Sequence, residues 1–131
     1  MAHKEIELIL MRQLAGYLAT AVFIVDAAGT LVFYNEPAEI MLGRRFEETG
    51  EMPAAEWSTI FKPTDERGAA IAPQALPLSV ALTERRMAQG DVWIRGFDDV
   101  LRHTEAVAFP IIGHGGRFLG AAAISREVRE K

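Results

Sequence analysis

Residues 21–43 read AVFIVDAAGTLVFYNEPAEIMLG, and this stretch decides the fold of the chain. Two apolar runs rich in β-branched and aromatic residues, 21–25 and 30–34, flank the sequence DAAG, which is typical of a β-hairpin turn. Gly29 can adopt the positive φ that the last residue of such a turn requires. We expect the carboxylate of Asp26 to accept main-chain N–H groups of its own turn, which is a structural role.

The pattern changes to a helical one at Asn35. Asn is a favourable N-cap, Pro37 suits a first helical turn, and the apolar residues 40–42 follow. Gly43 stands where a helix commonly ends in a left-handed residue. The stretch therefore predicts strand, tight turn, strand and capped helix.

This order of elements resembles the opening of PAS (Per-Arnt-Sim) sensor domains. Residues 61–82, FKPTDERGAAIAPQALPLSVAL, are similar to the middle of many bacterial PAS domains. Residues 105–110, EAVAFP, and 120–127, GAAAISRE, resemble the last two strands of the family. The resemblance covers about residues 18–127. It implies an α+β domain, with helices on one face of a five-stranded antiparallel sheet.

Composition narrows the class of protein further. The 131 residues suit a single domain, and the net charge of −4 with scattered basic residues gives no surface for nucleic acid or anionic lipid. The absence of cysteine excludes disulfides, thiolate chemistry and Cys-based metal sites. The sequence shows neither a signal peptide nor a run long enough to span a bilayer. We expect a cytoplasmic protein that binds neither nucleic acid nor membrane.

An unusually apolar helix is predicted over residues 4–18. Its apolar side chains occupy more than half of the circumference, whereas a helix docked on one surface needs a stripe of only about 100°. We expect one part of this helix to cover the outer face of the sheet and another to form a homodimer. The predicted dimer interface comprises Ile6, Leu8, Ile9, Leu10, Met11, Leu14, Tyr17 and Leu18 of the helix with Trp93, Val107 and Phe109 of the sheet. The predicted divisions are a dimerisation helix (1–18), a PAS domain (19–127) and a tail (128–131).

Periodicity predicts the remaining elements. Residues 44–53 are turn-like, 56–61 form a short helix, and 76–87 form a longer helix with Gly90 just beyond it. Three strands follow at 91–95, 101–111 and 117–126. Alternation assigns the two faces of these strands. Facing the helices we expect Ile94, Thr104, Ala106, Ala108, Gly120, Ala122 and Ile124, and on the opposite face Trp93, Val107, Phe109, Ala121 and Ala123.

The space between sheet and helices is the predicted ligand pocket. Its expected lining is Phe23, Val25, Phe33, Met41, Leu42, Trp57, Leu78, Leu82, Ile94, Thr104, Ala106, Ala108 and Ala122. The lining offers one hydroxyl and no charge. A small apolar ligand, or the protein's own side chains, would suit it.

Cofactors and metals find little support in the sequence. Haem-binding PAS domains typically carry an axial His on the helix that here spans 76–87, which has none, and Met87 is the unusual axial ligand left open. Flavin-binding light-oxygen-voltage domains, a PAS branch, need a reactive Cys and ring-facing amides, whereas the matching positions here are Ile94, Thr104 and Ala122. His3, His103 and His114 are expected to be isolated rather than metal ligands. We therefore expect no cofactor, no metal and no catalytic residue.

Three functions remain, in decreasing order. The first is a PAS signalling module that forms homodimers and relays a signal to a protein partner. The second is a PAS sensor of a small apolar ligand, and the third is a small α+β enzyme of the isomerase type, for which no buried carboxylate is found. The family's Asp-Ile-Thr motif is replaced by Glu127, Val128 and Arg129, so the usual output route is in doubt. The sequence is expected either to be a fragment of a larger signalling protein or to act alone through partners.

Overall fold

The computed structural model describes residues 6–128. The predicted helix start at residue 4, His3 and the tail residues 129–131 lie outside this range. The helices are α1 Ile6–Ala15, α2 Glu36–Leu42, α3 Phe46–Thr49, α4 Ala54–Trp57 and α5 Pro77–Glu84, with 3-10 turns at Pro73–Ala75 and His114–Gly116. The strands are β1 Ala21–Asp26, β2 Leu31–Tyr34, β3 Ala88–Arg95, β4 Leu101–Ile112 and β5 Phe118–Glu127.

The five strands form one antiparallel sheet in the order β2-β1-β5-β4-β3. Helices α2, α4 and α5 pack on one face, which we call the inner face, and α1 packs on the other, the outer face. The predicted α+β class and five-stranded antiparallel sheet are confirmed. No helix within residues 6–128 has the length and apolar character needed to cross a membrane.

The opening stretch folds as its residue types require. A carboxylate oxygen of Asp26 accepts the N–H groups of Ala28 and Thr30, each at 3.0 Å, and Gly29 has a φ of 90°. Asn35 is the N-cap of α2, and Gly43 ends the helix in the left-handed region at φ 79°. Local chemistry therefore determines the position of α2, whose residues 41 and 42 reach the inner core.

Two apolar clusters lie on either side of the sheet. The inner core is the larger one, between the sheet and helices α2, α4 and α5. In the outer core, Leu8 and Ala15 of α1 pack against buried residues of four strands, namely Val22, Ile24, Val32, Ile111, Leu119 and Ala122. The N-terminal helix thus covers part of the outer face.

The predicted faces of β5 are wrong. Ala106 pairs with Ser125 and Ala108 with Ala123, so Ala123 lies on the inner face and Ala122 lies in the outer core. The alternation changes at Gly120, whose φ is 146° and beside which the register of β4 and β5 shifts. Ala121 is likewise in the inner core, and Ile124 lies on the outer face with Val107.

Phe33 is also on the opposite face from the one predicted. It pairs with Ile24 of the outer core, and the register of β1 and β2 shifts immediately afterwards. The guanidinium of Arg12 on α1 lies 4.9 Å from the centre of its ring. The irregularity in the hairpin therefore turns Phe33 toward α1 rather than toward the pocket.

Two element boundaries differ from the predicted ones. Helix α5 ends at Glu84 because Arg85 adopts a left-handed conformation, and β3 begins at Ala88, so Gly90 lies within the strand. The region predicted as a turn contains α3, whose Phe46 ring packs edge-on against Tyr34 at 5.2 Å. Both differences arise from tertiary packing that local patterns do not encode.

Candidate functional site

A cavity of about 110 Å³ lies between the inner face of the sheet and helices α2, α4 and α5. Its walls are apolar except for two hydroxyl residues, Thr104 and Ser125. The hydroxyl of Thr104 donates to the main-chain oxygen of Val92 at 2.8 Å, which satisfies it within the sheet. No ionisable side chain lines the cavity. Its chemistry is therefore that of a small apolar chamber.

Eight of the predicted pocket residues line this cavity. They are Phe23, Met41, Leu42, Trp57, Leu78, Ile94, Thr104 and Ala106. Val25, Leu82 and Ala108 pack in the inner core without lining the cavity. Phe33 and Ala122 belong to the outer core, so their assignment to the pocket is corrected.

Seven lining residues escaped the sequence analysis, namely Leu31, Phe61, Leu76, Pro77, Val92, Ala123 and Ser125. The alternation of β3 places Val92 on the same face as Ile94 and was enough to find it. Ala123 and Ser125 required the register of β5 against β4, which no local pattern provides. Phe61 and Leu76 lie in loops whose course depends on tertiary contacts.

The cavity wall at Trp57 is tied to the β1–β2 turn. The indole N–H of this buried residue donates to the main-chain oxygen of Gly29 at 2.8 Å. A hydrogen bond of this kind fixes the plane of a large ring within a core. The hairpin turn thus positions a wall of the cavity as well as reversing the chain.

Arg102 ties the end of α2 to β4. Its guanidinium donates to the main-chain oxygen of Met41 at 2.9 Å and pairs with both carboxylate oxygens of Asp98, at 3.0 and 3.2 Å. Hydrogen bonding from Arg102 is the main cause that lowers the pKa of Asp98, and the same contact raises the pKa of Arg102. Glu127, at the end of β5, lies 3.5 Å from Arg102. The cluster joins a cavity-lining helix to the last strand.

Asn35 ties α1 to α2 and β1. Its side-chain oxygen accepts the N–H groups of Val22 at 3.0 Å and Ala38 at 3.3 Å. Its amide group donates to the main-chain oxygens of Ala15 and Thr20, each at 2.9 Å. The residue is buried and fully hydrogen-bonded, which is the structural role predicted for it. The position of α1 therefore depends on the cap of a helix that lines the cavity.

Helix α1 carries a second apolar surface, directed away from the sheet. The exposed residues Ile6, Ile9, Leu10, Gln13, Leu14 and Tyr17 form this surface, which we call the free face of α1. Leu8, in contrast, is only 3 % exposed and packs in the outer core, with Met11 partly buried beside it. Its assignment to the dimer interface is therefore wrong, because a side chain buried under the sheet has no surface left for a partner.

The outer face of β3 and β4 is only partly covered. The rings of Trp93 and His103 stack at 3.9 Å between centres, and the Nε2 of His103 lies 2.9 Å from a carboxylate oxygen of Asp91. Phe109 packs against the outer core, whereas Val107 is half-buried. Within residues 6–128 no group of three His, Asp or Glu side chains converges as a metal site would require. This surface is apolar with polar borders.

Comparison with solved structures places the fold. No protein-family model matches the sequence, and no curated protein sequence matches it. The LOV protein of Rhodobacter sphaeroides superposes with a TM-score of 0.73 and 17 % identity, over 95 % of this chain and 69 % of that one. The PAS domain of Bordetella pertussis BvgS gives 0.69 and 16 %, over 97 % and 90 %. The PAS domain of nitrogen regulation protein NR(II) from Vibrio parahaemolyticus gives 0.63 and 16 %, over 91 % and 98 %.

These similarities agree with the geometry described above. Each structure covers nine-tenths or more of this chain, so the likeness extends over the sheet, the inner helices and α1 together. At identities of 16–17 % it concerns the fold and not the ligand or partner. The chain has the fold of a PAS domain.

Proposed function

We propose that this protein is a PAS signalling module that forms a homodimer through the free face of α1 and relays a signal to a protein partner. The observation that carries the proposal is that α1 has two apolar faces on opposite sides. One is buried on the sheet at Leu8 and Ala15, and the other is exposed. An exposed apolar patch of this kind marks an interaction surface in a globular protein.

The size of the patch supports a dimer. The exposed fractions are 62 % for Ile6, 38 % for Ile9, 55 % each for Leu10 and Leu14, 88 % for Tyr17 and 37 % for Leu18. At about 200 Å² for a fully exposed large side chain, these six residues present roughly 650 Å². A standard interface buries about 800 Å² on each partner, and the nearby outer sheet face can supply the remainder.

The cavity supports a module without haem or flavin. Pockets for ligands of drug size have volumes of about 300–1,000 Å³, whereas this cavity measures about 110 Å³. Helix α5 has no imidazole, and Met87 is 65 % exposed after the helix has ended. The hydroxyl of Thr104 is engaged within the sheet. The described residues therefore do not fit either cofactor.

Sensing of a small apolar ligand is the second candidate, and the cavity itself favours it. An apolar cavity of about 150 Å³ can hold benzene, so a ligand here would have at most about six heavy atoms. Catalysis is not part of the proposal, because the lining contains no acid, base or nucleophile other than two hydroxyl groups. A signalling role agrees with the name of one structural neighbour, a nitrogen regulation protein.

Sedimentation velocity of a charged variant tests the dimer. Leu10→Glu combined with Leu14→Glu places two charges on the free face and is expected to give a folded monomer. Ile40→Glu is the matched control, because Ile40 is also an exposed apolar residue, at 69 %, but lies on α2. Circular dichroism checks folding. A double variant that sediments like the wild type would overturn the proposed interface, as would a control that dissociates equally.

Absorption spectroscopy tests the cofactor part. The purified protein is expected to show no band above about 350 nm, where Trp and Tyr no longer absorb. A Soret band or a flavin spectrum would contradict the proposal.

A further inference from the structure

The free face of α1 contains one polar residue among its apolar ones. Its members lie at residues 6, 9, 10, 13, 14 and 17, which is the spacing of a continuous helical stripe. Gln13 is the polar member, and it is exposed. In a seven-residue repeat that begins at Ile6, Ile6 and Gln13 occupy the first position and Ile9 and Gly16 occupy the fourth.

We infer that the two copies of α1 in the dimer lie parallel, with Gln13 against Gln13 of the second copy. This inference rests on the proposed homodimer and adds its orientation and the residue that sets its register. In a parallel helix pair, first-position residues of one helix meet first-position residues of the other. The amide of Gln13 then faces an identical amide at the two-fold axis.

Hydrogen-bond chemistry favours this orientation over the antiparallel one. A Gln side chain carries both donors and an acceptor, so two copies related by a two-fold axis can satisfy each other. In an antiparallel pair, first-position residues meet fourth-position residues instead, and Gln13 would face Ile9 or Gly16. Neither side chain can accept or donate a hydrogen bond, so the amide would be desolvated without a partner. Only the parallel pair therefore satisfies the polar residue.

A second copy is also a better occupant than an unrelated apolar helix. The stripe is self-complementary, because its apolar residues flank the amide on both sides along the helix. A single polar residue at the first position is the known means by which a helix pair selects its own register at some expense of stability. The isologous interface that results is the one expected of a two-fold dimer.

Disulfide cross-linking of single-cysteine variants measures the orientation directly. The chain has no cysteine, so each introduced thiol is unique. The variants are Ile6→Cys, Gln13→Cys and Tyr17→Cys, with Ile40→Cys as control, oxidised in the full chain at a concentration where sedimentation shows dimer. A parallel pair brings identical positions within disulfide range, so Ile6→Cys and Gln13→Cys are each expected to cross-link alone and at least tenfold faster than the control.

The other outcomes overturn the inference in distinguishable ways. Failure of Ile6→Cys alone, together with cross-linking in a mixture of Ile6→Cys and Tyr17→Cys, would show an antiparallel pair. A dimer by sedimentation with no α1 cross-link would place the interface elsewhere. A wild type that is monomeric by sedimentation would instead refute the proposed homodimer itself.

Replacement of the amide provides an independent readout. Gln13→Leu removes the polar residue from the apolar stripe and is expected to lower the dimer dissociation constant about tenfold while admitting larger species in sedimentation. Gln74→Leu, an exposed position before α5, is the control and should leave the constant unchanged. A Gln13→Leu variant with the dissociation constant and single dimeric species of the wild type would contradict a buried Gln13 pair.

Discussion

The amide of Asn35 donates a hydrogen bond to the main-chain oxygen of Ala15 at 2.9 Å, which joins the end of α1 to the start of α2. Both residues are buried, and they are 20 positions apart in the chain. Helix α2 lines the cavity, and α1 carries the proposed dimer surface. The contact is therefore a direct structural link between the two candidate sites.

Loss of this link should cost more than loss of a helix cap alone. Asn35→Ala removes four hydrogen bonds and leaves main-chain groups of residues 15, 20 and 22 in need of partners. We expect the free energy of unfolding to fall by about 2–4 kcal/mol, against about 1 kcal/mol for an exposed cap. Urea unfolding measures it, and a loss below 1 kcal/mol would mean that water replaces these bonds.

The cavity should accept added volume where its neighbour does not. Ala106 lines the cavity, whereas Ala108, on the same face of β4, is 0 % exposed and packed. Ala106→Val is expected to change the free energy of unfolding by less than about 1 kcal/mol, in either direction. Ala108→Val should destabilise by about 1–3 kcal/mol through overpacking. Equal losses in thermal or urea unfolding would show that the space at Ala106 is already filled.

The contact of Asp98 with Arg102 should make stability depend on pH. Because the pKa of Asp98 is lowered in the folded protein, its carboxylate stabilises the fold above the ordinary Asp pKa of about 4. This contribution is lost as pH falls through the lowered value.

Comparison with a neutral variant isolates that contribution. Asp98→Asn should therefore be less stable than the wild type at pH 7, and the difference should shrink below about pH 4. Unfolding at several pH values measures the difference, with Glu66→Gln on an exposed loop as control. A difference that stays constant down to pH 2 would contradict the assigned pair.

The opening hairpin and α2 could be predicted because their signals are local. Asp26 and Gly29 determine a turn within five residues, and Asn35 and Gly43 mark the two ends of one short helix. The faces of β1 followed from simple alternation, which placed Phe23 and Val25 correctly in the inner core. Such signals act over a few residues and do not depend on the rest of the fold.

The face of β5 could not be predicted because register is a long-range property. A shift of one residue at Gly120 exchanges the two faces of the strand, so Ala122 and Ala123 were assigned to the wrong sides. The row of Ala residues offers no difference in size or polarity that would reveal the exchange. The bulge near Phe33 had the same effect in β2.

The two apolar faces of α1 posed a different problem. The sequence shows that the helix has too many apolar residues for one surface, but not which side docks on the sheet. Leu8 lies under the sheet and Leu10 outside it, although both are equally apolar and only two residues apart. The choice depends on how the helix packs over β1 and β2, as fixed at its end by Asn35.

The most direct test of the central claim is sedimentation equilibrium of the wild-type protein over concentrations up to about 100 µM, a range that detects modest interfaces. The account predicts a mass that rises toward twice the 14.4 kDa of one chain. A mass of 14.4 kDa at every concentration would contradict it.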